Sequence, residues 1–337
     1  MDSITHVVLG AVIGEAYGGK AIGRKAMILG AVAQSLPDVD FLMSLWLRPV
    51  DNLLAHRGFT HSFLFCLAFA FLLGYLSHRR FRDSEKASTW WIFFFGLQIF
   101  VHLLLDGLNN YGAGWFEPFS HYRVALDVIY VADPFFSIWI GVGFLFLIFL
   151  KSDSTRRRIT AFLSIACCVA YLGYAVHHKV KIENQVRGAL SRQNISYSRI
   201  LTTPTPLNNW LWYLVAETKD GYQIAYKTVL DNTDSTSFTY FPRKLALLDT
   251  LEDREDLDKL LRFSRGWYTV QRQGDALLFN DLRFGQIAGW SNPHAMFAFH
   301  YDLIHPDANL FVVQQGRFSS WNRETVRDLF NGIRGKQ

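Results

Sequence analysis

Cysteine is scarce in this chain. There are three, Cys66, Cys167 and Cys168, all inside apolar runs, and the C-terminal half has none. That leaves no disulfide framework and no thiolate set for a closed structural zinc site, so the cysteines read as packing residues. The opening MDSITHVVLG has no basic leader and carries Asp2 and His6, so no cleaved signal peptide is expected. There is no Gly-x-Ser-x-Gly motif, which argues against an acyl-serine route. No basic stripe with interleaved aromatics accompanies the polar motifs, so nucleic acid is not an expected partner despite a net charge of +5. No internal repeat of the kind found in secondary transporters is visible.

What the chain has in quantity is apolar and aromatic side chains, with 29 Phe, 14 Tyr and 10 Trp in 337 residues. The mean hydropathy of +0.10 averages two unlike halves. Residues 1–178 carry long apolar runs and read as an α-helical integral membrane bundle; 193–337 read as a soluble α+β domain, with 179–192 as a linker. Residues 4–17 and 24–36 are too short to span singly and predict a helical hairpin, the run being broken at Gly18, Gly19 and Gly23. About four spanning helices are expected, near 62–78, 89–108, 134–150 and 159–177. After residue 193, strand-like runs alternate with Asp-Gly and Gly-Asp turns, and TLEDREDLDKLLRFSRG and NRETVRDLFNGI read as amphipathic helices.

The connections 79–88 (RRFRDSEKAS) and 151–158 (KSDSTRRR), and the hairpin turn Lys20–Lys25, are basic. Positive-inside places them in the cytoplasm, with the C-terminal domain on the outer side. By the same parity His6, Asp38, Asp40, His56, His61, His102 and Asp106 all fall at the opposite end of the bundle. His102 and Asp106 are four apart on one helix and share a face. His56 and His61 flank Gly58 in HRGFTHS, just before a membrane-grade run. Each residue has a bland alternative: a buried bonded histidine for His102, capping by Thr60 or Ser62, a helix end at PDVD, a surface His6. Together, four histidines and three aspartates at one end favour metal ligation, because ionisable groups in membrane segments are costly unless paired.

Imidazole with carboxylate suits Zn, with Mn or Fe as alternatives, in one or two ions. Asp40, Arg57 and Asp106 are the expected catalytic residues, with Arg57 as a clamp for phosphate or carboxylate. Asp127 and Asp133 could support the site or cap a helix, and Arg123 could contact substrate or headgroups. Metal-assisted hydrolysis is the reaction class that follows.

DSITH (2–6), LPDVD (36–40), HRGFTHS (56–62) and HLLLD (102–106) together resemble the YdjM-like family of bacterial inner-membrane proteins, described as metal-dependent hydrolases. The resemblance covers roughly residues 1–178; TPTPLNNWLW (203–212) and DLRFG (281–285) are similar to its longer members. That family is in turn distantly similar to zinc-dependent phospholipase C and related single-strand nucleases. The resemblance implies hydrolysis of a phosphoester, with a lipid or lipid-linked substrate at the bilayer surface. It departs from those soluble enzymes in that Met1 precedes Asp2 and no second helical His-x-x-x-acid pair follows. The competing readings are an ion-coupled transporter and a non-catalytic scaffold with a structural metal.

Overall fold

The computed structural model describes every residue except 83–84, 152–153, 232, 234, 252–253, 306–308, 310–320 and 336–337. The chain divides into two compact units, Met1–Trp46 with Ala55–Tyr174, and Leu47–Leu54 with Ala175–Gln337.

The first unit is helical. Asp2 caps α1, Ser3–Ile22, by accepting from the Thr5 amide. A turn at Gly23, with φ of +60°, leads into α2, Lys25–Ser35. The hairpin expected from the sequence is present, and its turn falls at Gly23, within the expected basic turn Lys20–Lys25; α1 runs on through Gly18 and Gly19. Glycines along the hairpin leave room for packing. A Cβ on Gly14 would stand 2.1 Å from the Ala26 carbonyl oxygen, and one on Gly30 would stand 2.2 Å from that of Gly10. Small residues let the two backbones touch, as in membrane helix pairs generally. The hairpin therefore returns Asp38 to the start of α1, where Ser3 Oγ donates to it at 3.0 Å.

Beyond α2 the chain bends by 51° into a 3-10 segment, Pro37–Leu45. Pro37 cannot continue the helical hydrogen-bond pattern, which is the local cause of the bend. A short helix, α3 (Pro49–Ala55), precedes HRGFTHS. Ser62 then caps α4, Phe63–Arg80, by accepting from the Phe65 amide. α5, Ser88–Gly107, packs along α4, with Phe65, Cys66, Ile99 and Leu103 buried between them. α6, Pro134–Phe149, begins at Asp133, which accepts from the Phe135 and Phe136 amides. Among the described residues α4, α5 and α7 (Thr155–Arg192) are long and apolar enough to cross a membrane. A fourth span is possible if the bent pair Lys25–Leu45 counts as one. α6 has 16 residues, short of the roughly 20 a span needs.

The second unit carries two antiparallel sheets. One has the order β1 (Arg199–Pro204), β2 (Leu211–Glu217), β3 (Gly221–Thr228), β4 (Thr239–Pro242). The other runs β5 (Tyr268–Gln273), β6 (Ala276–Asp281), β7 (His300–Asp302). Two helices join them, α8 (Glu255–Phe263) and α9 (Arg323–Ile333), within the two segments read as amphipathic helices. β2 is apolar from Leu211 to Ala216 because both faces are covered. Trp212 and Leu214 meet Ile182, Val186 and Leu190, while Tyr213 and Val215 meet Trp267 and Leu282. The first of those contacts accounts for residues 179–192, expected as a linker. They are the end of α7, and Ile182, Val186 and Leu190, four apart, form a helical stripe that the sheet buries.

Candidate metal centre

Four donors converge at one end of the first unit. Asp38, His61, His102 and Asp106 each offer one ligand atom, and these atoms lie within 4.8 Å of one another. They come from three places in the chain: the 3-10 turn after α2, the turn before α4, and the last turns of α5. His61, His102 and Asp106 are fully buried, and Asp38 keeps 14% of its side-chain surface exposed.

The hydrogen bonds behind the two imidazoles decide where their protons are. His102 Nδ1 lies 2.6 Å from the Gln34 carbonyl oxygen. A carbonyl only accepts, so Nδ1 carries the hydrogen and Nε2 is a bare lone pair. Thr60 Oγ1 gives its hydrogen to Asp40 Oδ2 at 3.1 Å and so accepts from His61 Nδ1 at 3.0 Å. His61 Nε2 is then bare as well. Burial, acting against the attraction of Asp40, holds His61 well below its ordinary pKa, so the ring is neutral at pH 7.

The two bare nitrogens face each other at 3.1 Å. Two carboxylate oxygens join them. His61 Nε2 is 3.7 Å from Asp38 Oδ1 and 3.2 Å from Asp106 Oδ2; His102 Nε2 is 3.6 Å and 3.7 Å from the same atoms. Four electron-pair donors with no proton among them repel unless a cation lies between. An ion bonded at about 2.0–2.2 Å in tetrahedral geometry separates its ligands by roughly 3.3–3.6 Å. The spacings observed here bracket that range, so the donor set fits a divalent metal.

The remaining residues singled out from the sequence surround this cluster without entering it. His6 stacks on the His102 ring, centroids 3.7 Å apart, and its Nε2 is 3.2 Å from Asp106 Oδ1. Asp40 accepts from His56 Nδ1 at 3.0 Å, the Arg57 amide at 2.7 Å and Thr60 Oγ1 at 3.1 Å. It fixes the turn that presents His61. His56 sits beyond Asp40, partly exposed, with its ring edge-on to Tyr111. Arg57 is buried with a φ of +56°, and its guanidinium reaches Asp106 Oδ2 at 2.9 Å, Asn109 Oδ1 at 3.0 Å and the Met1 carbonyl at 3.0 Å. It braces Asp106, whereas the sequence suggested a clamp open to substrate. Asp133 caps α6 and accepts from Tyr171 at 2.8 Å. Arg123 donates to the His56 carbonyl at 2.7 Å and so steadies the same loop.

Three participants had no prominent signal in the sequence. The Gln34 carbonyl sets the His102 tautomer, Asn109 holds Arg57, and the Met1 amine pairs with Asp106. All three stand beside a recognised motif, Met1 directly before DSITH, Gln34 two residues before LPDVD and Asn109 three residues after Asp106.

Comparison with known proteins agrees with the motifs. The family model described as YdjM inner membrane protein matches residues 1–181, just over half the chain, and the chain belongs to that family. It is 32% identical over 122 residues to inner membrane protein YbcI of Escherichia coli (strain K12), covering 36% of this chain and 69% of YbcI. It is 30% identical over 146 residues to the uncharacterized protein YfhP of Bacillus subtilis (strain 168), covering 41% of this chain and 43% of YfhP. No solved structure matches. Family and apolar helices together make this an inner-membrane protein.

Proposed function

We propose that this member of the YdjM inner membrane protein family is a metal-dependent hydrolase that cleaves a phosphoester of a membrane lipid or lipid-linked substrate. The observation that carries the reading is the meeting of two bare imidazole nitrogens with two carboxylates at 3.1–3.7 Å. Asp38, His61, His102 and Asp106 would hold the ion, with Zn expected and Mn or Fe as alternatives. Such an ion supplies Lewis acidity and lowers the pKa of a bound water to about 7.

The chain's own groups have separable roles. Gln34 and Thr60 hold the two imidazoles in the ligating tautomer, Thr60 with Asp40 behind it. Arg57 braces the Asp106 carboxylate toward the cluster. Asp38 is the cluster member with surface exposed, held by Ser3, and is the group placed to accept a proton from an incoming water. Asp40 is saturated by its donors and acts as a positioning residue. The cluster ends a bundle of apolar helices, so its substrate is drawn from the bilayer surface; we place that surface on the outer side, opposite the basic turns. A transporter would be expected to gather these groups nearer the midplane.

Elemental analysis of the detergent-purified protein tests the reading first, wild type against His61→Gln and Asp106→Asn. One or two equivalents of metal in the wild type, lost in both variants while they remain folded, supports it. A phospholipid hydrolysis screen with and without chelator then tests the chemistry. Wild-type protein that carries no metal and takes none up on reconstitution overturns the proposal.

A further inference from the structure

The other end of the same bundle holds a second polar cavity, which the metal reading does not use. Its volume is roughly 630 Å³, and it lies between the end of α1, the segment leading into α5, and the start of α7. Lys20, on α1, is 14 residues beyond His6, or about 21 Å along the helix axis, so the two sites are remote.

Three cations from three separate elements line it: Lys20, Lys86 and Arg158. None has a carboxylate partner among the described residues. Lys86 and Arg158 instead sit over aromatic rings, Trp90 at 6.0 Å and Phe162 at 5.5 Å. The cavity also contains one acid, Glu15, which would repel an anion if it were free. It is not free: Arg157 Nε and Nη2 take its two oxygens at 2.8 and 2.7 Å. The Glu15–Arg157 pair is buried and neutral as a unit, leaving the three outer cations without a carboxylate counter-charge among the described residues. Ser154 and Thr155 add hydroxyls, and Tyr17 and Trp90 line the cavity with rings of the kind that settle at membrane interfaces.

We infer that this cavity binds a phosphate-bearing anion, the phosphate of an anionic phospholipid headgroup or free phosphate. Three cations around a polar hollow at the mouth of apolar helices match that chemistry in charge and position. Hydroxyl donors suit phosphate oxygens, and the paired Glu15 leaves the floor without net charge. The inference is independent of the metal centre.

The test uses full-length protein in nanodiscs of phosphatidylcholine with a minority of phosphatidylglycerol, followed by native mass spectrometry of the released protein. The variant is Lys20→Gln, Lys86→Gln, Arg158→Gln combined. A control removes three charges outside the cavity, Arg79→Gln, Arg82→Gln and Arg156→Gln. In a second arm, detergent-purified protein is titrated calorimetrically with sodium phosphate. Phosphatidylglycerol retained by wild type and control but reduced about tenfold or more in the cavity variant assigns the site to a lipid headgroup. Saturable phosphate binding that the cavity variant alone loses assigns it to free phosphate. Equal retention by all three proteins with no phosphate binding overturns the proposal. So does a control that loses as much as the cavity variant, because bulk surface charge would then explain the effect. Matching elution profiles and near-ultraviolet circular dichroism establish that the variants are folded.

Discussion

The two ends of the helical unit bury charge in opposite ways. At one end Glu15 and Arg157 form a closed pair, two oxygens against two nitrogens, with the remaining guanidinium nitrogen on the Leu147 and Leu150 carbonyls. Both charges of that buried pair find their counter-charge within the chain. At the other end two bare imidazole nitrogens and two carboxylate oxygens face inward together. Arg57 and the Met1 amine meet Asp106, and the four ligand atoms lie within 4.8 Å of one another. A buried pair that is complete is architecture. A buried array with surplus electron pairs could hold a cation.

The comparison breaks most sharply at the array. His61→Gln or Asp106→Asn is expected to abolish stoichiometric metal binding, whereas Glu15→Gln leaves metal content unchanged; elemental analysis reads both. Next in size is the closed pair. Arg157→Met strands the Glu15 carboxylate in the bundle and should cost about 3–5 kcal/mol, while the double replacement Glu15→Leu, Arg157→Met recovers most of it. Thermal unfolding in detergent measures this, and a double variant no better than the single one would show that the pair is not the closed unit described.

A smaller effect sharpens the reading of tautomers. Thr60→Val removes the hydroxyl between Asp40 and His61. Loss of such an outer partner lowers metal affinity about 10–100-fold without removing a ligand. Competition with a fluorescent chelator reads that range, and unchanged affinity would mean His61 is oriented by other contacts.

The smallest effect lies in the second unit, where charge is solvent-facing. Burial acts against ionisation of Asp231, but Lys227 Nζ at 2.7 Å and the Thr233 amide outweigh it and hold the carboxyl down at about 2. A depressed carboxyl contributes stability above its unfolded value of 3.8, and that contribution is lost as pH falls toward 2. Asp231→Asn should therefore narrow the difference in urea midpoint between pH 5 and pH 2.5 by a small amount. An unchanged difference would assign the acid sensitivity to other groups.

The comparison also explains what could be read in advance. The i, i+4 spacing of His102 and Asp106 placed both on one face, and a hairpin returning Asp38 to His6 followed from two apolar arms. Both depend on patterns local to a few turns of helix. That α1 runs on through Gly18 and Gly19 to the turn at Gly23, and that 179–192 is helix where a linker was expected, could not be read locally, because each is governed by packing from elsewhere. Gly18 meets Ala26, Phe94 and Trp90, and the helical stripe at Ile182, Val186 and Leu190 is covered by β2. Asp40 and Arg57 looked as available for chemistry as Asp38, since sequence reveals a residue's type and not whether its bonding capacity is already used.

The sequence by itself determined the membrane-grade helices, the strand-rich second half and the gathering of seven histidines and aspartates toward one end. Hydropathy and chain direction suffice for these, because each is summed along the chain. Only the tertiary structure decided which four donors meet, that two imidazoles present bare nitrogens, and that Arg57 turns inward to Asp106. Those outcomes rest on single hydrogen bonds between residues up to 68 apart in the chain, His102 to Gln34 among them. A lone pair's direction is set by the atom behind the ring, and that atom is found only once the chain has folded.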